Sequence, residues 1–508
     1  MQKDPGSPGL LRRLFRAFDT GTPAGMIRGL MMFFLTVYLY EGMVDPDGLS
    51  KQTLNYYLSK GLGWPADQAA NYVLILLVPW VIKPLYGAIS DFFPIFGYRR
   101  KSYLVLVNFA TSAACFWLST LSDPAQLIIP LFIISLGTAA SSALCQAVMV
   151  ESGKLTGLTG KFVSQQWLWF SVAGMIVLPL GGFLSDHFGP LTGLHAAAVI
   201  MGIPPICVIL ASIFFVREEK QKISVAQFWA TLKGLGRTFA SRTLWLVAGF
   251  IALWYFSPAF GMSLYYFQTR ELGFSQQFIG ILGMIGMVGA IIGSVLYMFY
   301  LRHPRTSRAA VWLCRVTGLT LLVNLIGRSL AAVSTVLSGP CERFFRMFGL
   351  EKRNPGIWMK TTLTPFFENY AHELEEMSVM KALIYISLFC GVSVQLSYVF
   401  LSGFNSAIVL AVLNSIPAQI AMLTSLTLAA RACPDKAEGF TYAAIMSIYN
   451  VSIQMSSNIG ASWYEHVFNH HLAPLALISA GCTALCFLLV PLLPREALAV
   501  EDKDTPES

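Results

Sequence analysis

The chain contains little charge. Only 12% of its 508 residues are Asp, Glu, Lys or Arg, whereas 55% are hydrophobic. A soluble domain carries about 25% charged residues, so this chain cannot cover a surface that faces water on all sides. It also lacks the Gly-x-x-x-x-Gly-Lys-Ser/Thr sequence that binds ATP phosphates, any Cys-x-x-Cys pair, and a recurring Ser/His/Asp or Cys/His set. These absences argue against an ATP-driven pump, a disulfide scaffold and an enzyme.

Long apolar runs are abundant. A helix needs about 20 apolar residues to cross a bilayer, and twelve runs of that kind occur, here numbered spans 1 to 12: 23–44, 69–91, 102–121, 126–150, 163–184, 194–216, 243–266, 276–301, 382–402, 406–430, 440–460 and 472–493. The sequence therefore predicts an all-α membrane protein with twelve transmembrane helices. Residues 23–216 and 243–493 would form two six-helix halves.

Basic residues predict the orientation. Of the 35 Lys and Arg residues, 30 fall in one set of loops and termini and only 3 in the alternate loops. We call the two sides the basic face and the sparsely charged face. Because Lys and Arg resist translocation, the basic face is expected to be cytoplasmic. The net charge of +8 then reflects membrane insertion, with the lipid bilayer as partner and no nucleic acid.

The same count places the long connecting segments in the cytoplasm. They are an N-terminal segment (1–22), a linker between the halves (217–242), an insertion after span 8 (302–381) and a disordered tail (494–508). Residues 224–238 have apolar residues at helical spacing, which predicts a helix along the membrane surface. Residues 309–337 are apolar but are interrupted by two arginines, so we expect an interfacial helical pair there.

A candidate latch follows span 2. Gly87, which would allow close helix contact, is followed by Asp91 and, after a turn, by Arg99 and Arg100. Asp91 is placed to pair with either arginine and to hold the cytoplasmic side closed. The spacing resembles the Gly-x-x-x-Asp-x-x-Gly-Arg-Arg loop between helices 2 and 3 of major facilitator transporters, with extra residues before Gly97. A similar Gly-x-x-x-Asp-x-x-Gly sequence around Asp186 lacks the bases, so no gating role is assigned to it.

Further residues make the resemblance closer. They are Asn55-Tyr-Tyr-Leu58, Pro79-Trp80, Lys83-Pro84, Ser90-Asp91, Gly97-Tyr-Arg-Arg100, Trp254-Tyr-Phe-Ser-Pro258, Leu272-Gly-Phe274, Ala430-Arg-Ala-Cys-Pro434 and Glu438-Gly439. Together they resemble the folate-biopterin transporter family of the major facilitator superfamily, over most of residues 50–460.

The resemblance implies a function and a site. It implies an ion-coupled transporter, acting as a monomer in the plasma membrane without a cofactor, that moves folate, a pterin or a related organic anion by alternating access. In this architecture spans 1, 4, 7 and 10 line the central cavity, which nominates Gln146, Trp254, Tyr255, Asn414 and Gln419. Flat aromatic faces beside amides suit a fused heterocycle such as a pterin. Pro258 is expected to break its helix.

Charges within the spans carry the functional argument, because they usually face a cavity or a partner. Arg28 and Lys83 are the deep basic residues, and no acid is expected at their depth. The carboxylate of a substrate would then supply the missing countercharge. Arg28 has the alternative of extending to water at the helix end. Glu41 and Glu151, placed at the edges of spans 1 and 4, are the candidates for proton coupling.

Other interpretations stay open at this point. The same twelve-helix fold would also suit a permease for another organic anion or a nucleoside-like solute. It would equally suit a non-transporting sensor that uses the 302–381 insertion to bind a partner. The sequence Glu465-His466-x-x-x-His470-His471 fits a weak metal site, but a polar cap before span 12 is favoured and no metal is expected.

Overall fold

The computed structural model describes residues 23–45, 48–156, 159–218, 220, 242–302, 335–336, 338–340, 342–343, 379–433, 438–494 and 498. The N-terminal segment, the linker with its predicted surface helix, the tail and all but a few residues of the 302–381 insertion lie outside the described residues. Their predicted domain boundaries and the helical pair at 309–337 therefore remain expectations.

Each predicted span corresponds to a helix. The helices of spans 1–6 are Pro23–Val44, Ala66–Leu74 continuing to Lys83–Phe92, Lys101–Leu118, Pro124–Thr156, Thr159–Phe188, and Pro190–Met201 with Ile203–Phe215. Those of spans 7–12 are Arg242–Trp254 with Met262–Tyr266, Gln276–Arg302, Val379–Ser397, Phe404–Arg431, Glu438–His466 and Leu472–Leu489. Nine of the described helices are long and apolar enough to cross a membrane.

Span 1 is longer than predicted. After Val44 the chain continues as a second helix, Leu49–Tyr56, which ends in a π-helical turn at Tyr57–Gly61. The whole of Gly25–Gly61 forms one candidate membrane span. The first helix ends at Val44, as predicted, but the candidate span continues beyond it, so Glu41 lies well inside that span. Residues 46–47 lie outside the described residues, and the helix that begins at Leu49 belongs to the same candidate span.

Span 7 has the same construction. Its first helix ends at Trp254, and a second helix at Met262–Tyr266 continues into a π-helical turn at Phe267–Glu271. The break contains Pro258, as predicted. Gly460 of span 11 packs against the Pro258 carbonyl so closely that a Cβ there would overlap with it. Because Gly460 has no side chain, span 11 can pack directly against the break in span 7.

The two π-helical turns occupy equivalent places in the two halves. Each is followed by a glycine in the left-handed region, Gly63 with φ +68° and Gly273 with φ +65°, a conformation that other residues adopt at a cost. The next helix then begins at Ala66 in the first half and at Gln276 in the second. The π-helical turn, the left-handed glycine and the helix start are each separated from their counterparts in the other half by the same number of residues. The two halves therefore repeat one local structure at the sparsely charged face.

Buried apolar residues form two clusters among the described residues. The larger one extends through the first half and includes Tyr266, Phe274, Leu401 and Tyr464 from the sparsely charged end of the second half. The smaller one lies within the second half, around Phe250 and the helices of spans 7, 9, 10 and 11. Apolar packing thus joins the halves mainly at the sparsely charged face.

Close helix contacts depend on glycines of span 8. A Cβ at Gly293 would lie 2.9 Å from the Cβ of Gln419 in span 10, and one at Gly283 would lie 2.9 Å from a methyl group of Leu178 in span 5. Small residues let helix backbones approach in this way. Span 8 therefore contacts both halves, which places it at their interface.

Candidate functional site

A break in span 2 positions Lys83. The helix is interrupted at Ile82 (φ −86°, ψ 8°), and a new helix begins at Lys83 and runs to Phe92. Pro84 accounts for the break, because it has no N–H to donate to the carbonyl of Trp80 four residues earlier and its ring crowds that carbonyl. The Lys83 side chain is half-buried, and Nζ lies 5.0 Å from the centre of the Trp80 ring.

Ser142 of span 4 connects Lys83 to an acid. Nζ of Lys83 donates a hydrogen bond of 2.9 Å to Oγ of Ser142, and that hydroxyl donates one of 2.7 Å to Oε1 of Glu41. Glu41 is buried, with a relative exposure of 7%. The expectations that Glu41 lies at a water edge and that Lys83 has no acid at its depth are therefore wrong. Both followed from ending span 1 too early.

One oxygen of this network has no partner. Among the residues that the structure describes, Oε2 of Glu41 is buried and accepts no hydrogen bond. Buried polar atoms are nearly always satisfied, so an unpartnered carboxylate oxygen indicates a place where a proton, a water molecule or a ligand group binds. The indole Nε1 of Trp80, next to Lys83, is likewise buried without an acceptor in the described part of the chain.

A second network lies at the basic face, around Arg100. This arginine is 3% exposed and donates to Oγ of Ser90, to the Gly87 carbonyl at 3.4 Å, and to Oε1 of Glu151 at 3.0 Å. Arg99 lies 3.7 Å from the other oxygen of Glu151. Spans 2 and 4 of the first half are thereby connected.

The network corrects part of the predicted latch. Among the described residues, a Cβ at Gly87 would meet no atom within 4 Å, so the close helix contact expected there is not found in this part of the chain. The side chain of Asp91 lies outside the described residues, and its pairing with Arg99 or Arg100 stays a prediction. Glu151, nominated for coupling, is an ion-pair partner of both arginines.

The other predicted site residues lie in different surroundings. Trp254 is 5% exposed and packs against Phe250 in the second-half cluster. The Tyr255 hydroxyl lies 2.8 Å from Oγ of Ser425, and its ring meets the Tyr449 ring edge-on. These contacts hold the two aromatic residues at the break of span 7, where the first helix of that span ends.

The amides of span 10 connect helices. Gln419 donates to Oγ of Ser294 in span 8 at 3.0 Å, and Asn414 donates to Oγ of Ser397 at the end of span 9 at 3.1 Å. Gln146 is half-buried, and Arg28 is exposed in the second turn of span 1. None of the contacts just described reaches the Lys83–Ser142–Glu41 network, and the roles of these residues in substrate binding stay predictions.

Comparison with known proteins identifies the family. The family model of the BT1 family matches residues 45–327 and 366–508. This chain belongs to the BT1 family. It is 26% identical over 488 residues to the folate-biopterin transporter of Synechocystis sp., covering 94% of this chain and 84% of that protein. It is 27% identical over 225 residues to folate transporter 1 of Plasmodium falciparum, covering 44% of each chain.

Solved structures confirm the fold of this BT1-family chain. The nucleoside transporter NupG superposes with a TM-score of 0.51 at 14% identity, covering 92% of this chain and 98% of that one. A D-xylose-proton symporter gives 0.53 at 13% identity, covering 92% and 96%. The chain is a multi-pass membrane transporter of the major facilitator type and not an enzyme, as predicted.

Proposed function

We propose that this BT1-family protein carries folate, a pterin or a related organic anion by alternating access, and that protons are coupled at Glu41. The substrate class is supported by the names of the relatives, which are transporters of folate and biopterin. The observation that carries the mechanism is the Lys83–Ser142–Glu41 network inside the bundle, with one free carboxylate oxygen.

The network provides charge balance. A lysine within a membrane protein needs a negative partner, and without substrate the Glu41 carboxylate fills that role through Ser142. A substrate carboxylate that approaches Lys83 competes with Glu41 for the same positive charge. Protonation of Glu41 neutralises the competing group, so an anion and a proton enter the site together. With one substrate carboxylate in the site, the charge of the loaded site then equals that of the empty one.

The network also occupies a suitable place. Glu41 lies well inside the candidate span Gly25–Gly61, and ionisable residues inside a membrane bundle usually mark a substrate or proton pathway. Lys83 stands at the break of span 2, where a small change of backbone angle moves the ammonium group. With the basic face in the cytoplasm, as the positive-inside rule predicts, both termini would be cytoplasmic. The protein would then be located in the plasma membrane of the cell.

The test compares substrates of different charge. A charge-assisted hydrogen bond contributes about 1.5–3 kcal/mol, which is about tenfold to a hundredfold in affinity. Lys83→Met should therefore weaken the uptake affinity for dianionic folate by that factor in proteoliposomes, and should weaken an uncharged pterin much less. Lys60→Met, which changes an exposed lysine, is the matched control and should behave as wild type.

Two outcomes contradict the proposal. If folate and pterin lose affinity equally, Lys83 supports the helix and does not bind the anion. If neither compound is taken up by wild-type proteoliposomes, while another organic anion or a nucleoside is, the substrate assignment is wrong. Binding without accumulation of any compound would indicate a sensor.

A further inference from the structure

Asp186 caps a helix of the opposite half. This residue lies near the end of span 5, and its two oxygens accept the backbone N–H groups of Gln276 at 3.1 Å and Gln277 at 2.7 Å. These are the first residues of span 8. The N-terminus of a helix carries a partial positive charge and unpaired N–H donors, so a carboxylate there is stabilising. The contact crosses from the first half to the second.

Glu465 makes the reciprocal contact. It lies near the end of span 11 in the second half, and its Oε1 accepts the N–H of Ala66 at 2.6 Å. Ala66 begins the first helix of span 2, and Pro65 before it provides no capping side chain. His470 fixes the other oxygen of Glu465 at 2.8 Å, and His466 lies 3.2 Å from Asp67.

The two contacts are equivalent by the internal repeat. Ala66 and Gln276 occupy corresponding positions, each after a π-helical turn and a left-handed glycine. Each is capped by an acid from the end of a helix in the other half. One contact thus has its carboxylate on the first half, and the other has its carboxylate on the second.

Neighbouring contacts join the halves at the same face. The Trp64 carbonyl of the first half accepts hydrogen bonds from Tyr266 at 3.0 Å and from Arg270 at 2.6 Å. Gln52 of span 1 donates to Oε1 of Gln276 at 3.4 Å. Gly182 of span 5 approaches the backbone at the start of span 8, where an added Cβ would lie 2.7 Å from the Cα of Gln277.

We propose that Asp186 and Glu465 are paired caps that hold the sparsely charged face closed, and that release of both opens it. Donor and acceptor of each contact belong to different halves, so neither contact survives their separation. Water then solvates the carboxylates and the exposed N–H groups, which keeps the open state accessible. The inference needs two alternating states of a transporter but depends neither on the substrate nor on proton coupling.

The experiment measures the distance between the halves in the full-length protein. Spin labels at Thr120 and Ser402, exposed residues of the first and second halves on this face, report the separation by pulsed EPR in lipid nanodiscs. Asp186→Ala and Glu465→Ala should each increase the population at long distance about tenfold relative to the closed population, and the double variant should increase it further. No substrate is added, so failure of the folate assignment does not affect the result.

A matched control is available on the same face. Asp123 caps the N–H of Ala125 at 3.0 Å at the start of span 4, but this contact lies within one half. Asp123→Ala should leave the distances unchanged. If an alanine variant does not fold, Asp186→Asn and Glu465→Gln keep shape and an acceptor and should shift the distances less, in the same direction. Wild-type distances in all cap variants that fold, or equal widening in Asp123→Ala, would overturn the proposal.

Discussion

Replacement of Glu41 by glutamine separates charge from shape in the central network. Glutamine keeps the size of the side chain and an oxygen that accepts from Ser142, but it cannot carry a negative charge or a transferable proton. Lys83 would lose its negative partner and keep its hydrogen bond to Ser142. Asp45, which also interacts electrostatically with Lys83, would remain, and the substrate anion would supply the charge that residue 41 no longer carries.

The size of the effect follows from the distances. Hydrogen bonds of 2.9 and 2.7 Å hold Nζ of Lys83 within about 5.6 Å of Oε1 of Glu41, which at an effective dielectric constant of about 20 corresponds to an attraction of about 3 kcal/mol. Lys83 is only half-buried, so screening reduces this value. We expect folate to bind Glu41→Gln about tenfold to a hundredfold more tightly than wild type, the opposite direction to Lys83→Met.

Transport assays should show the loss of coupling. In proteoliposomes, Glu41→Gln should exchange internal for external folate, yet fail to accumulate folate when the external pH is lowered. Glu41→Asp, which retains an ionisable group, is the control and should keep some accumulation. Accumulation in Glu41→Gln that an uncoupler still collapses would refute the reasoning, because the proton would then bind elsewhere.

Two further predictions concern the basic face. Glu151→Gln removes the ion pair with Arg100 but leaves Ser90 and the Gly87 carbonyl as acceptors, so we expect a loss of about 1 kcal/mol in stability. Thermal unfolding should shift by about one degree, and uphill accumulation should be retained. Loss of accumulation with exchange intact would move the coupling site to Glu151. In a cysteine-free background, Pro365→Cys should react with an impermeant maleimide only from the cytoplasm, and Ser402→Cys should react only from outside. Reaction of Pro365→Cys from outside would refute the twelve-span orientation.

The sequence predicts the helices well because apolar runs in a membrane protein have one physical meaning. A run of about 20 apolar residues has no other stable place than the bilayer, so all twelve spans match helices. Pro258 also acts as predicted, because loss of a backbone donor and the bulk of the ring weaken a helix, although Pro130, Pro179 and Pro417 lie inside continuous helices.

The site is less predictable because it depends on depth and on long-range pairing. The apolar run of span 1 ends at residue 44, and ending the span there placed Glu41 at the surface, whereas it is buried inside a longer candidate span. Hydropathy does not show that a helix resumes after a polar interruption, although the repeated Tyr-Tyr sequences at 56–57 and 265–266 were a usable signal. Ser142 is one of several polar residues of span 4, and only the three-dimensional structure shows that it lies between Lys83 and Glu41.

The central network and the caps lie on the same helices. Glu41 belongs to span 1 and Lys83 to span 2; farther along these spans, Gln52 and Ala66 contact the second half. A ligand can shift a conformational equilibrium only by the difference between its affinities for the two states. Anion binding at Lys83 and protonation of Glu41 act on the two spans that hold the sparsely charged face closed, so they are well placed to provide that difference. The Arg100 network connects groups within the first half, and its described contacts need not break when the halves separate.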